Sequence, residues 1–125
     1  LPENIFNRAL YTTQENSRTL TAVSHLNNTD FKQFGKCMYE SHDGLQHLYE
    51  VSCDEIDFLV EQTRALDYVI GARMMGGGFG GCTINLVRKD KIQTFIDIIS
   101  TAYKHRYNIQ LSYIITTISD GVKRV

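Results

Sequence analysis

The sequence predicts an α+β domain: an antiparallel sheet with helices packed on one face. Three observations lead there. Apolar residues recur at helical spacing through the first half of the chain. From Tyr68 the pattern shortens to extended runs, which resume at Cys82 and again at Ser112. A further helical stripe, Ile92 to Tyr103, lies between the last two runs. At 125 residues with 42% hydrophobic content, the chain is the size of one ordinary domain with a core of its own. It holds no repeat, low-complexity tract or linker, so residues 1–125 are read as a single domain.

The first helix is expected over residues 5–26, from Phe6, Ala9, Leu10, Leu20 and Val23. Its polar middle, Thr12 to Arg18, implies only partial burial. Thr29-Asp30 supplies an N-cap for the second helix, whose stripe is Phe34, Met38, Ser41, Leu45 and Leu48. Gly35 and Gly44 weaken that helix by up to about 1 kcal/mol each against Ala, and they leave room for another backbone to come close. Ser52 and Glu55 have capping-box spacing, and Val51 and Ile56 that of a hydrophobic staple, at the start of a third helix. Ile56, Leu59, Val60 and Thr63 form its inner face. Strands follow over Tyr68–Met75 and Cys82–Val87, the second with Thr83, Asn85 and Val87 on one side and Ile84 and Leu86 on the other. Asp90 is placed to cap a helix with the stripe Ile92, Phe95, Ile96, Ile99 and Tyr103. The β-branched run Ser112–Ile118 reads as a closing strand.

Composition narrows the function classes. Thirteen basic and 14 acidic residues leave a net charge of −1, too balanced for a phosphate-backbone binder, so no nucleic-acid partner is expected. The apolar runs are far shorter than the roughly 20 residues that span a bilayer, so no membrane partner is expected either. Leu1 is not an initiator methionine, and the chain is therefore expected to have been cut from something longer, or processed. Cys37, Cys53 and Cys82 form no CxxC pair, which suggests a reduced, cytoplasmic compartment. His42 and His47 lie five apart and no cysteine sits at ligand spacing, so no metal site is assigned and all four histidines are read as structural or surface residues.

The informative segment is Gly71-Ala72-Arg73-Met74-Met75-Gly76-Gly77-Gly78-Phe79-Gly80-Gly81-Cys82-Thr83. Five of the chain's nine glycines lie within 76–81. A hairpin turn needs one or two; five suit a backbone that takes positive φ and lets N–H groups converge on a phosphate or other anion. Gly76, Gly78 and Gly81 spell GxGxxG, but a strand follows where a dinucleotide fold needs a helix. No Lys-Ser/Thr follows the glycines, which removes the P-loop. Strand–glycines–strand suits a protein-kinase nucleotide loop, yet HRD and DFG segments are absent. The residues assigned to ligand binding are Gly76, Gly77, Gly78, Phe79, Gly80 and Gly81.

The run Arg73-Met74-x-Gly76-Gly77-Gly78-Phe79-Gly80-Gly81-Cys82-Thr83 closely resembles the third signature of galactokinases, within the GHMP kinase superfamily. Glu40-Ser41-His42-Asp43-Gly44-Leu45 and Tyr49-Glu50-Val51-Ser52-Cys53-Asp54-Glu55-Ile56-Asp57 resemble the block that precedes it. Phe34-Gly35-Lys36 and Ser119-Asp120-Gly121 match in order, and the resemblance covers roughly residues 8–125. It implies a GHMP kinase C-terminal domain, one part of a longer two-domain chain. It further implies transfer of the γ-phosphoryl of ATP, with Mg²⁺, to the anomeric hydroxyl of galactose. The sugar-recognition segment, phosphate loop and catalytic Asp of such kinases belong to an N-terminal domain, so no catalytic residue is assigned here and this chain alone is expected to be inactive. Met75 stands where many relatives carry Thr, and Ala72 where a small hydroxyl residue is common.

Some roles stay open at this level. Arg73 either steadies the transferred group or pairs with a neighbouring acid and fixes the strand. Phe79 either buries its ring against another domain or caps this domain's core. Helix N-terminal charge accounts for Asp54 and Asp57. If the loop faces another domain, apolar area is expected around it, from Met74, Met75 or Phe79. Two readings from other classes remain: a non-catalytic α+β module that binds a small-molecule effector, and an interaction domain whose loop merely turns.

Overall fold

The computed structural model describes residues 1–124. Helix α1, Glu3–Asn27, runs the length expected of it but buries only Tyr11. Helix α2, Phe31–Gly44, is capped by Asp30, whose side chain accepts the Gln33 N–H at 3.2 Å. A single π-helical turn, Leu45–Tyr49, extends it. Glu50 then takes the left-handed conformation (φ 59°) and ends the helix. Helix α3 covers Asp54–Arg64 and buries Ile56, Leu59, Val60 and Thr63, the inner face read from the sequence.

Strands β1, Val69–Met75, and β2, Cys82–Val87, pair antiparallel, with Met75 opposite Cys82 and Gly71 opposite Leu86. On β2 the Asn85 side-chain amide donates to Thr83 Oγ1 at 3.0 Å, as expected of residues sharing one face. A 3₁₀ turn at Lys89–Lys91 leads into helix α4, Ile92–Tyr107, which buries Ile96 and Ile99. The architecture is the expected α+β class, with α2 and α3 packed against β1.

Helix α2 lies between α1 and β1, so it buries more than one stripe. Ser41 and Leu45 are buried as expected, but so are Cys37 and His42. Its glycines serve close approach: a Cβ at Gly35 would lie 1.7 Å from the Ile70 carbonyl oxygen, and one at Gly44 2.5 Å from the Tyr11 ring. The central cluster joins Tyr11, Leu45, Ile56 and Met74, with Leu48, Val51 and Cys53 packed against it. Val51 and Ile56 therefore share an apolar cluster, as their staple spacing suggested.

Three expectations are corrected. The capping box does not form: Cys53 is the N-cap, and the Ser52 hydroxyl donates to Asp57 at 2.5 Å instead. Asp90 falls in the 3₁₀ turn and pairs with Arg88 at 3.0 Å, so it does not cap α4. The run Ser112–Ile118 is not a strand among the described residues; it lies exposed, Ile114 at 92% and Ile118 at 89%. β-propensity measures fit to a pleated surface, and a strand forms only where a neighbour completes its ladder.

Candidate functional site

The β1–β2 register leaves residues 76–81 as a six-residue connection at one end of the strand pair. Gly76, Gly78, Gly80 and Gly81 all take positive φ, and Phe79 between them takes the left-handed conformation at φ 60°. A bulky residue there costs on the order of 1–3 kcal/mol unless its surroundings hold it. The hold is a hydrogen bond: the Phe79 N–H donates to the Val51 carbonyl at 2.6 Å. Gly78 makes that approach feasible, since a Cβ on it would sit 2.2 Å from the Val51 oxygen. At Gly76, Gly77 and Gly80 a Cβ would meet nothing within 4 Å. The loop thus has one pinned point and an otherwise open backbone.

The corner that receives Phe79 is itself braced. The Val51 N–H donates to the Leu45 carbonyl at 3.1 Å, closing the π turn. From the next residue, Ser52 reaches Asp57 Oδ1, which also lies 2.9 Å from His42 Nε2. On the far side of the ring, the Met74 backbone N–H donates to His42 Nδ1 at 3.1 Å. Because Nδ1 accepts, the ring proton sits on Nε2 and points to the Asp57 carboxylate. His42 is 1% exposed, and burial holds its pKa below the usual imidazole range despite Asp57 beside it. The chain Ser52–Asp57–His42–Met74 therefore ties the corner to the strand that enters the loop.

Ser, His and Asp together invite a nucleophilic reading, and the geometry refuses it. The Ser52 hydroxyl is turned to Asp57 and not to the imidazole, and His42 Nδ1 is occupied by an amide, so the Ser–His contact of a triad is missing.

The loop residues assigned from sequence lie together, contiguous and mostly exposed. Arg73 is held by α1 and its own strand: Nη1 stands 3.7 Å from Glu15 Oε1, and Nε donates to the Met74 carbonyl at 3.1 Å. Glu15 is shared with Arg18 and with the Ser41 hydroxyl at 2.7 Å, so the pairing reading describes Arg73. Phe79, 76% exposed, does not cap this domain's core. Met75 is half exposed, whereas Met74 is fully buried and contributes nothing to the loop's surface. Asp54 is exposed in the first turn of α3, but Asp57 does more than complement the helix terminus: it bridges Ser52 and His42. Sequence reading placed His42 among the structural histidines without its partners. Its spacing, four from Met38 and three from Leu45, was the available signal that it faces inward.

Fold and loop together define an α+β lobe that presents a glycine-lined backbone, braced from beneath, at the end of its strand pair. The chain belongs to the GHMP kinases C terminal family, whose model matches residues 22–105. Curated relatives include a galactokinase of Clostridium acetobutylicum, 45% identical over 94% of this chain, and one of Thermotoga neapolitana, 38% identical over the whole of it. The chain spans 30% and 36% of those two proteins, about a third of their length. Among solved structures, Lactococcus lactis galactokinase complexed with galactose superposes with a TM-score of 0.83, at 34% identity over 86% of this chain and 28% of that one.

Proposed function

We propose that this chain is the C-terminal domain of a galactokinase: one domain of a longer two-domain enzyme that phosphorylates the anomeric hydroxyl of galactose with ATP and Mg²⁺. The observation that carries the reading is the loop 76–81, pinned at Phe79 and bare at Gly76, Gly77 and Gly80. Consecutive positive-φ residues suit a concavity of N–H groups around an anion, and the absence of side chains lets a phosphate come against the backbone. Backbone N–H groups of Gly76, Gly77, Gly78, Gly80 and Gly81 would hold the nucleotide's phosphates, while Phe79, whose N–H is taken by the Val51 carbonyl, would anchor the loop between them. No metal ligand is assigned within this chain.

ATP with Mg²⁺ would supply the phosphoryl group and neutralise part of its charge. The contribution of this chain's residues is position. Phosphoryl transfer needs acceptor and leaving oxygens in line, and a loop fixed by Val51 and His42 can hold one boundary of that geometry without reorganising. Phe79 and Met75 would face the other domain and help exclude water. The three free thiols Cys37, Cys53 and Cys82 support a reducing, cytoplasmic setting.

The test is ADP release with galactose and ATP, measured on the longer parent enzyme and on this chain alone. The parent should turn over at an ordinary kinase rate, roughly 1–100 per second, and the chain alone should not. Ordinary turnover by the chain alone, or none by the parent with any hexose, overturns the reading.

A further inference from the structure

We propose that His42 is a positioning residue for the glycine loop, acting as a neutral imidazole that fixes the strand entering the loop to the corner that receives it. The inference rests on the reading of the loop as the phosphate-holding element. Three observations carry it. His42 Nδ1 accepts the Met74 N–H two residues before Gly76, and Nε2 faces Asp57, which also takes the Ser52 hydroxyl. The neighbour of Ser52, Val51, takes the Phe79 N–H from within the loop. Entry strand and loop centre are therefore referred to one corner, residues 50–53, and His42 closes the circuit between them.

The circuit requires one protonation state. A proton on Nδ1 would point at the Met74 N–H, donor against donor, and the acceptor would vanish. The charged groups facing His42 are Asp57 and Arg64 from α3 and Asp43 from its own helix, while the corner brings the Ser52 hydroxyl and β1 the Met74 amide. Burial outweighs the carboxylates and lowers the His42 pKa. The unfolded imidazole takes a proton below about pH 6.5, while the folded one resists it. The tie is complete above that pH and is lost as pH falls through the lower folded value.

The experiment begins with long-range proton–nitrogen NMR on the unaltered chain near pH 7.5. A proton on Nε2 and none on Nδ1 is expected; an Nδ1–H tautomer or an imidazolium overturns the proposal. Amide exchange at Met74 and Phe79 is then compared in His42→Asn and His42→Gln. Asn can place its carbonyl oxygen where Nδ1 sits, whereas Gln can serve only the Asp57 side. Exchange at both amides should quicken at least about five-fold in His42→Gln and much less in His42→Asn. Equal exchange in the two variants overturns the proposal. If neither variant folds, the unaltered chain still decides: excess opening at Phe79 should grow between pH 7 and pH 5, and a flat profile overturns it. In the parent enzyme, His42→Gln should raise KM for ATP more than KM for galactose, with His42→Asn restoring it. The NMR readouts involve no catalysis, so their failure leaves the kinase reading standing, and absent turnover leaves them unaffected.

Discussion

Gly78 answers two demands at once: its φ of 93° is unfavourable for a side chain, and its Cα faces the Val51 carbonyl too closely for a Cβ. The clash is with this domain's own corner, so Gly78→Val should disturb the fold before it disturbs any ligand. Strain and overpacking of this kind cost about 1–3 kcal/mol. A urea titration of the chain should show its midpoint lowered accordingly, and an unchanged midpoint would mean that the loop does not rest on Val51. The glycine run was legible in the sequence because five glycines so close together exceed what a turn requires. Which of them packs and which stays bare was not legible, because that depends on a corner 27 residues earlier in the chain. His42 was hidden for the same reason: its partners lie 15 and 32 residues away.

Among the elements, α2 sets the frame, because at Gly35 and Gly71 it and β1 leave no room for a Cβ between them. Gly35 lies under Ile70, and a Cβ at Gly71 would meet the Gly35 Cα at 2.7 Å. Gly35→Ala gains helix propensity of about 1 kcal/mol but cannot fit, and overpacking of roughly 1–3 kcal/mol or more should prevail. A net loss in thermal stability is expected; a gain would show that helix and strand separate without cost. The inner face of α3 was readable because Ile56, Leu59, Val60 and Thr63 follow a local 3.6-residue rule. Its start was misread because Asp57 competes for the Ser52 hydroxyl, a choice that spacing alone does not express. The run Ser112–Ile118 was misread for a different reason: β-branched residues state a preference, and only a neighbouring strand can satisfy it.

Taken whole, the domain leaves its loop end apolar and open, with Phe79 and Met75 exposed beside bare glycine backbone. Relatives about three times as long support the proposal that a second domain covers this end and encloses the nucleotide. Gly77 separates that proposal from simple structure. It has no positive φ, and a Cβ on it meets nothing within 4 Å. Gly77→Val in the parent enzyme should therefore change stability by no more than about 0.5 kcal/mol. If phosphate must lie against this backbone, a displacement of about 1 Å should still cut turnover on the order of 100-fold. Steady-state kinetics with galactose and ATP, run beside a thermal melt of the same variant, is the most direct measurement. An intact melt with collapsed turnover is the predicted result; an intact melt with near-normal turnover would contradict the assignment of the loop to phosphate.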